Sequence, residues 1–380
     1  MRICLLIVTI CFFWSCEPQL LKVSVVEEGG APVVSVPVKQ PVVSQADISY
    51  LKTHFDNFIE RRHFNGSIII TKNNEIIYDT TLGYANIKRR IPLKDTSAIQ
   101  LASITKPITG AVILSLIQEG KLNLDDTVTS ILPRLPEEYK KITINMLLSH
   151  QSGLTQYYYY CDHVLENKEC IVSNDSLIEI IACHNPGFAG RPGRKFNYCN
   201  TNFALLASVA EHIEKKSFQE IVQERIIEPC GMKNSFMLDL SKDTLPKNLV
   251  YGNNEWNTIM EFDYLDGIVG DKGFFSTAHD LLLFDKYFFS CLMLNDSLLQ
   301  SVFVPQVKIK NNGNSYGLGW RLRFDQDLGK IIYHPGWWRG NRHLYFKIPS
   351  KDYTVIMLSN SLKGSRYNLN DLLSLFNEVE

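Results

Sequence analysis

Apolar positions spaced at helical and strand periods divide most of the chain into elements. Residues 47–62 carry apolar side chains at helical spacing and predict a helix. Two runs, 66–71 and 75–83, flank Asn73-Asn74, a pair suited to a hairpin turn, and read as strands. An apolar run opening at Ser103 predicts a helix to about Gly120, and 202–213 predicts another. The stretch from about 125 to 265 reads as helix and loop. Toward the C-terminus, 316–324, 330–334, 342–348 and 353–359 are rich in β-branched and aromatic residues and separated by turn residues, so they read as strands. A last helix spans about 368–378. Strands at both ends with helices between predict one sheet completed by distant parts of the chain. The expected class is α/β (α+β): an antiparallel sheet flanked by helices, with an inserted, mostly helical lobe.

The N-terminus follows a different pattern. Arg2 precedes an apolar stretch of 12 residues, Ile3 to Trp14. A bilayer span needs roughly 20, so the stretch reads as a targeting segment. It ends at Ser15-Cys16, which resembles the lipobox of bacterial lipoproteins, where the cysteine is acylated and becomes the new N-terminus. Residues 1–16 are therefore expected to be a signal peptide of lipoprotein type. Cys16 would be the lipidation site, and the chain would be exported and held at a membrane by its lipid anchor. Phe13 and Trp14 are bulkier than the usual lipobox residues, so simple cleaved secretion and a retained anchor stand as alternatives. From 17 to 46 the composition shifts to Val, Pro, Gly and Gln. Pro32, Pro37 and Pro41 argue against helix and central strand, which suits a flexible tether. The catalytic domain is expected at 47–380.

Composition narrows the function classes. The hydrophobic fraction of 45% and charged fraction of 21% describe a globular protein with ample core over 380 residues. Net charge is −1 with no basic run, so nucleic-acid binding has no electrostatic footprint. Nine cysteines include three in the leader. The other six follow no zinc spacing, so neither a metal nor a cofactor is expected. Cys161 and Cys170 are candidates for a loop disulfide, with buried free cysteine as the alternative.

The candidate chemistry begins at Ser103-Ile104-Thr105-Lys106. Residues three apart on a helix face one another. A lysine there can take the serine proton if its surroundings favour the neutral amine. Ser49-Tyr50-Leu51-Lys52 has the same spacing, so the spacing alone decides nothing. Tyr198-Cys199-Asn200 precedes the 202–213 helix; its hydroxyl can relay protons and its amide can hold substrate or the lysine amine. The competing reading is a helix cap from Asn200 or Thr201. His334-Pro335-Gly336 is the sole His-x-Gly, at the end of an apolar strand. A strand edge there can present a backbone N–H, and glycine allows close approach. Its alternative is a histidine in a surface turn. Leu147 to Leu154 contains Ser149-His150, but no Gly-x-Ser-x-Gly elbow exists, and helix termination at Gly153 explains the segment.

Taken in order, Ser103-x-x-Lys106, Leu147 to Leu154, Tyr198-x-Asn200, Tyr316-Gly317-Leu318-Gly319-Trp320 and His334-x-Gly336 resemble the serine β-lactamase and penicillin-binding-protein superfamily, in its class C-like branch. The resemblance covers about 47–380. It implies that Ser103 is the nucleophile forming an acyl-enzyme and that Lys106 is the base, acting with Tyr198. His334 would stand where many relatives have the lysine of a Lys-Thr-Gly motif. Backbone N–H groups of Ser103 and Trp337, following Gly336, would form the oxyanion hole. Gly273 looks like part of the family's glycine turn. Pro335 fills a position often occupied by Thr or Ser and supplies neither hydroxyl nor N–H. That argues against an efficient β-lactamase unless Arg339 or Arg342 clamps the substrate carboxylate. Tyr157 to Tyr160, with Trp337 and Trp338, form either an aromatic rim for an apolar acyl group or packing under a loop. The expected activity is that of an exported serine hydrolase acting on an ester or amide, esterase or D-amino-acid peptidase before β-lactamase, on a small-molecule or peptide substrate. A silent surface protein binding cell-wall peptide and a transacylase are the alternatives.

Overall fold

The computed structural model describes residues 44–309 and 313–379. The predicted signal peptide, Cys16 and residues 17–43 of the predicted linker lie outside the described residues. Helix α1 (Gln45–Arg62) opens the described chain, with Ser44 accepting a hydrogen bond from the Ala46 N–H. It buries Leu51 and Phe55 and leaves Ser49 and Lys52 exposed, with Lys52 paired to Asp56 at 3.1 Å. The second Ser-x-x-Lys is thus an ordinary solvated helix face.

Eight strands form one antiparallel sheet: β1 (Gly66–Lys72), β2 (Glu75–Leu82), β3 (Val307–Lys308), β4 (Asn314–Tyr316), β5 (Arg321–Asp325), β6 (Gly329–Trp338), β7 (Asn341–Ile348) and β8 (Tyr353–Ser359). Their order is β2-β1-β8-β7-β6-β5-β4-β3, so the first hairpin pairs with the last strand. Asn73 and Asn74 take φ of 51° and 64°, as a two-residue hairpin turn requires. Two differences from the sequence reading have simple causes. The expected strand 316–324 is broken by the turn at Gly317–Trp320 into β4 and β5. The expected strand 330–334 continues to Trp338, because Pro335 comes after the last pairing of β6 with β5, at Tyr333, and needs no ladder bond on that edge.

Side chains alternate across the sheet with period two. Ile68, Ile70, Phe346, Val355 and Met357 pack against α1 and the C-terminal helix Leu369–Asn377. Ile69, Tyr345, Ile356 and Leu358 face the larger core. That core takes in helix α2 (Thr105–Gln118), buried from Thr105 to Leu116, and helix α3 (Asn200–Glu214). A small four-stranded sheet, in which Ala98–Gln100 lies between Phe274–Ser276 and Leu249–Val250, leads directly into Ser103. Cys161 is buried, Cys170 is exposed, and both are free, so the candidate loop disulfide is absent.

Candidate active site

Ser103 sits in a single turn, Ala102–Ile104, that runs into α2. Ala102 is held at φ 51°, a left-handed conformation that costs a non-glycine residue about 1 kcal/mol or more. The turn is pinned on both sides: the Leu101 N–H donates to the Phe274 carbonyl at 2.7 Å, and the Ile104 N–H to the Leu101 carbonyl at 3.1 Å. Three residues on, Lys106 is wholly buried. Its Nζ lies 3.1 Å from Ser103 Oγ and donates to the Asp271 carbonyl at 2.8 Å. No described carboxylate comes within ion-pair distance of it. The Tyr198 hydroxyl donates to the same Ser103 Oγ at 2.8 Å. Lys106 and Tyr198 therefore converge on Ser103, two potential proton acceptors on one serine oxygen, with Lys106 Nζ 5.1 Å from the Tyr198 ring.

Each partner is positioned by its own support. The carbonyl that receives Lys106 belongs to the strap Gly270–Gly273, whose two glycines take φ of 101° and 96°. A Cβ at Gly270 would stand 2.5 Å from the Phe203 carbonyl, so the strap lies directly on α3. Thr109 Oγ1 donates to the Gly270 carbonyl at 2.7 Å. Beneath it, the Tyr157 hydroxyl donates to Asp271 Oδ2 at 2.9 Å, and Lys272 Nζ reaches the Tyr157 hydroxyl, the Leu265 carbonyl and the Ile268 carbonyl. Gly273 belongs to this strap, as the resemblance implied. The buried Tyr157, Asp271 and Lys272 cluster was not visible as such in the sequence.

Tyr198 is held by His150, which the sequence reading had assigned to a helix end. The helix there, Ile144–Leu148, stops before His150, and Gly153 instead admits the close approach of Gly190. Ser149 Oγ donates to the Asn145 carbonyl, so Ser149 and His150 form no dyad. The His150 carbonyl accepts from the Asn197 N–H at 2.8 Å and its Nδ1 from the Cys199 N–H at 3.1 Å. Its ring lies 4.3 Å from that of Tyr198. Through its carbonyl, its ring nitrogen and its ring face, His150 therefore grips the tyrosine and both its chain neighbours. Burial among rings holds its pKa well below the ordinary histidine value, so it is neutral. With Nδ1 accepting, the proton is on Nε2, which has no hydrogen-bond partner.

Asn200 does not cap its helix. Cys199 occupies the cap position without a side-chain bond, and Thr201 Oγ1 donates to the Thr155 carbonyl. The Asn200 amide N–H is taken by Gln156 Oε1, while its own Oδ1 is buried without a partner and the residue lines the cleft. His334 is not in a surface turn: it is fully buried. Its Nδ1 donates to the Pro335 carbonyl at 2.8 Å and its Nε2 accepts from the Tyr316 hydroxyl at 3.1 Å. Burial depresses its pKa, so this histidine brings no positive charge. Gly336 lies against the serine turn, where a Cβ would stand 2.5 Å from the Leu101 carbonyl and 2.9 Å from His343 Cδ2. Beyond Tyr333, the edge of β6 facing the cleft has no partner strand, and Pro335, Gly336 and Trp337 line the cleft there.

The cleft encloses about 580 Å³, and its wall includes Ser103, Tyr158, Tyr198, Asn200 and Arg321. Neither arginine offered by the sequence is the cation there. Arg339 is bound to Asp263 and Asp266, and Arg342 lines not the cleft but an adjoining cavity across Pro335, Gly336 and Trp337, with Tyr367 and Asn368. The cation is Arg321, missed in the sequence because it stands 13 residues before His334 on another strand. Its guanidinium lies 5.2 Å from the Tyr198 ring and 5.9 Å from that of Phe196. It makes no ion pair among the described residues, and its Nε is buried without a partner. The aromatic run divides: Tyr157 and Tyr160 are packed, Tyr158 lines the cleft, and Tyr159 is exposed. Among the described residues no group of three or more His, Cys, Asp or Glu is placed to hold a metal.

A large antiparallel sheet flanked by helices, with a serine, lysine and tyrosine meeting at one oxygen, is the architecture of the β-lactamase and penicillin-binding-protein superfamily. Residues 51–377 match the family model described as Beta-lactamase, and the chain belongs to that family. It is a β-lactamase-related serine hydrolase. It is 30% identical over 342 residues to penicillin-binding protein 4* of Bacillus subtilis, covering 84% of this chain and 73% of that protein. It is 25% identical over 311 residues to a D-aminopeptidase of Cereibacter sphaeroides, covering 80% of this chain and 58% of that one. Its fold matches the crystal structure of EstCE1, a hydrolase with promiscuous acyltransferase activity, at TM-score 0.72 and 19% identity, over 88% of this chain and 99% of that one.

Proposed function

We propose that the chain hydrolyses an ester or amide through an acyl-enzyme on Ser103, and that the leaving group carries a carboxylate. The observation that carries this reading is the double contact of Ser103 Oγ, with Lys106 Nζ at 3.1 Å and the Tyr198 hydroxyl at 2.8 Å, in a cleft whose unpaired cation is Arg321. Ser103 Oγ attacks the substrate carbonyl carbon as its proton leaves along one of those two hydrogen bonds. The carbonyl oxygen, now negative, is received by backbone N–H groups of Ser103 and Trp337. The scissile bond breaks, the leaving group takes the proton held by the Lys106 and Tyr198 pair, and water then hydrolyses the acyl-serine by the reverse path. The free Oδ1 of Asn200 is available to a substrate N–H. Gly336 lets the strand lie close enough for the hole to form.

Arg321 offers a planar, bidentate partner for a carboxylate. The name of one relative, a D-aminopeptidase, supports a substrate of D-amino-acid type. Pro335 leaves the cleft without the hydroxyl that would help to hold a β-lactam, which favours esterase or peptidase action over antibiotic resistance. Intact mass measurement after incubation with esters, D-amino-acid peptides and β-lactams tests the reading. Wild type should gain the acyl mass and Ser103→Ala should not. An adduct on Ser103→Ala would overturn the assignment, and no adduct with any donor would leave a silent peptide-binding protein. Export and lipidation at Cys16 are proposed from the leader sequence. Palmitate incorporation in a bacterial host should vanish in Cys16→Ser, and unchanged labelling would exclude that residue.

A further inference from the structure

Next to the catalytic cleft, and sharing Trp337 and Trp338 with it, is a second cavity of about 260 Å³ whose remaining wall includes Met260, Leu362 and Gly340. Trp338 is fixed: its Nε1 donates to Asp266 Oδ1 at 2.7 Å, and Lys272 Nζ lies 5.3 Å from its ring. Trp337 is not. It is 69% exposed and takes part in no side-chain hydrogen bond or ring contact among the described residues. Trp337 is continuous with the Met260 and Leu362 wall of the second cavity, so the lip of the cleft presents one apolar patch of the kind a ligand covers.

The strand gives the two ends of such a ligand an order. Arg321 is paired with Tyr333 of β6, the serine turn touches Gly336, and the second cavity opens at Trp337 to Gly340. From Tyr333 to Trp338 a strand advances roughly 17 Å. A substrate lying along this edge has its carboxylate at one end, its reacting carbonyl in the middle and its other substituent over Trp337. We infer that the Met260, Leu362 and Trp337 cavity is the acyl-group subsite, and that it takes an aliphatic chain. The inference rests on the reading of Ser103 and Arg321 given above.

Acetate, butyrate, hexanoate and octanoate esters of 3-hydroxybenzoic acid test it, because the carboxylate stays on the leaving group while the acyl chain grows. In wild type, kcat/KM should rise by up to about fourfold for each methylene that enters the cavity. Leu362→Asp and Met260→Asp should flatten the series, which is read as the ratio of octanoate to acetate turnover within each variant. Alkylboronic acids of rising length should inhibit wild type progressively more tightly, a measurement that needs no variant to fold. A flat wild-type series, or a slope that survives both substitutions, would overturn the subsite. If that happens while acetate still acylates Ser103, only the subsite fails. If no ester acylates Ser103, the underlying reading fails with it.

Discussion

His150 holds Tyr198 by three independent means, its carbonyl, its Nδ1 and its ring, and it does so at φ 57°. Asparagine tolerates that backbone and carries an acceptor where Nδ1 sits, whereas phenylalanine keeps the ring and loses the acceptor. His150→Phe strands the buried Cys199 N–H, which costs about 1–3 kcal/mol. We expect kcat to fall about 10- to 100-fold in His150→Phe with KM little changed, and His150→Asn to restore most of it. Activity kept in His150→Phe and lost in His150→Asn would mean that the stacking, not the acceptor, positions the tyrosine. The meeting of Ser103 with Lys106 and Tyr198 was legible because helical spacing and a following apolar helix place them. His150 was not, because its importance lies in contacts across 49 residues that no local pattern reports. Arg321 was hidden for the same reason: a cation becomes a ligand only when the fold denies it a carboxylate.

Strand β6 brings Gly336 against the serine turn with no room to spare. A Cβ there would meet the Leu101 carbonyl, which is backbone and cannot yield, and His343, which is itself bound to the Gln100 carbonyl at 2.6 Å. Gly336→Ala should therefore move β6 off the turn and widen the oxyanion hole. An overpacked site of this kind loses about 1–3 kcal/mol of stability, and we expect kcat/KM to fall by at least tenfold with it. Retention of both would show that the contact is slack. Strand positions were well read from β-branched and aromatic runs. The sequence reading ended β6 at 334, four residues early, because the segment after it pairs on one side only, with β7, and Pro335 needs no ladder bond on the other.

Three histidines, His150, His334 and His343, are buried behind the cleft wall. Burial holds all three below their ordinary pKa, and His343 falls to about 4. His343 Nδ1 accepts the Ser359 N–H, so a proton there would break that one hydrogen bond between β7 and β8. The unfolded chain takes up protons from about pH 6.5 downward that the folded chain refuses. Stability is thus complete above pH 6.5 and is lost as pH falls toward 4, by about 3 kcal/mol for His343 alone. Thermal unfolding across that range should show a falling midpoint, and a flat profile would mean that these rings are not kept neutral by the fold. The layered arrangement of the whole molecule was legible from strands at both ends.

The union of β1 with β8 also has a consequence for synthesis. The serine, the lysine and the tyrosine have all left the ribosome long before Tyr353–Ser359 is made, yet the wall beside them is part of a sheet that β8 bridges. A nascent chain therefore carries the reactive residues without the surface that organises them. We expect hydrolytic activity to arrive with the last strand, so a polypeptide ending at Asp352 should form no adduct with the donors that acylate the full chain, and an adduct on it would show that the site is organised without β8.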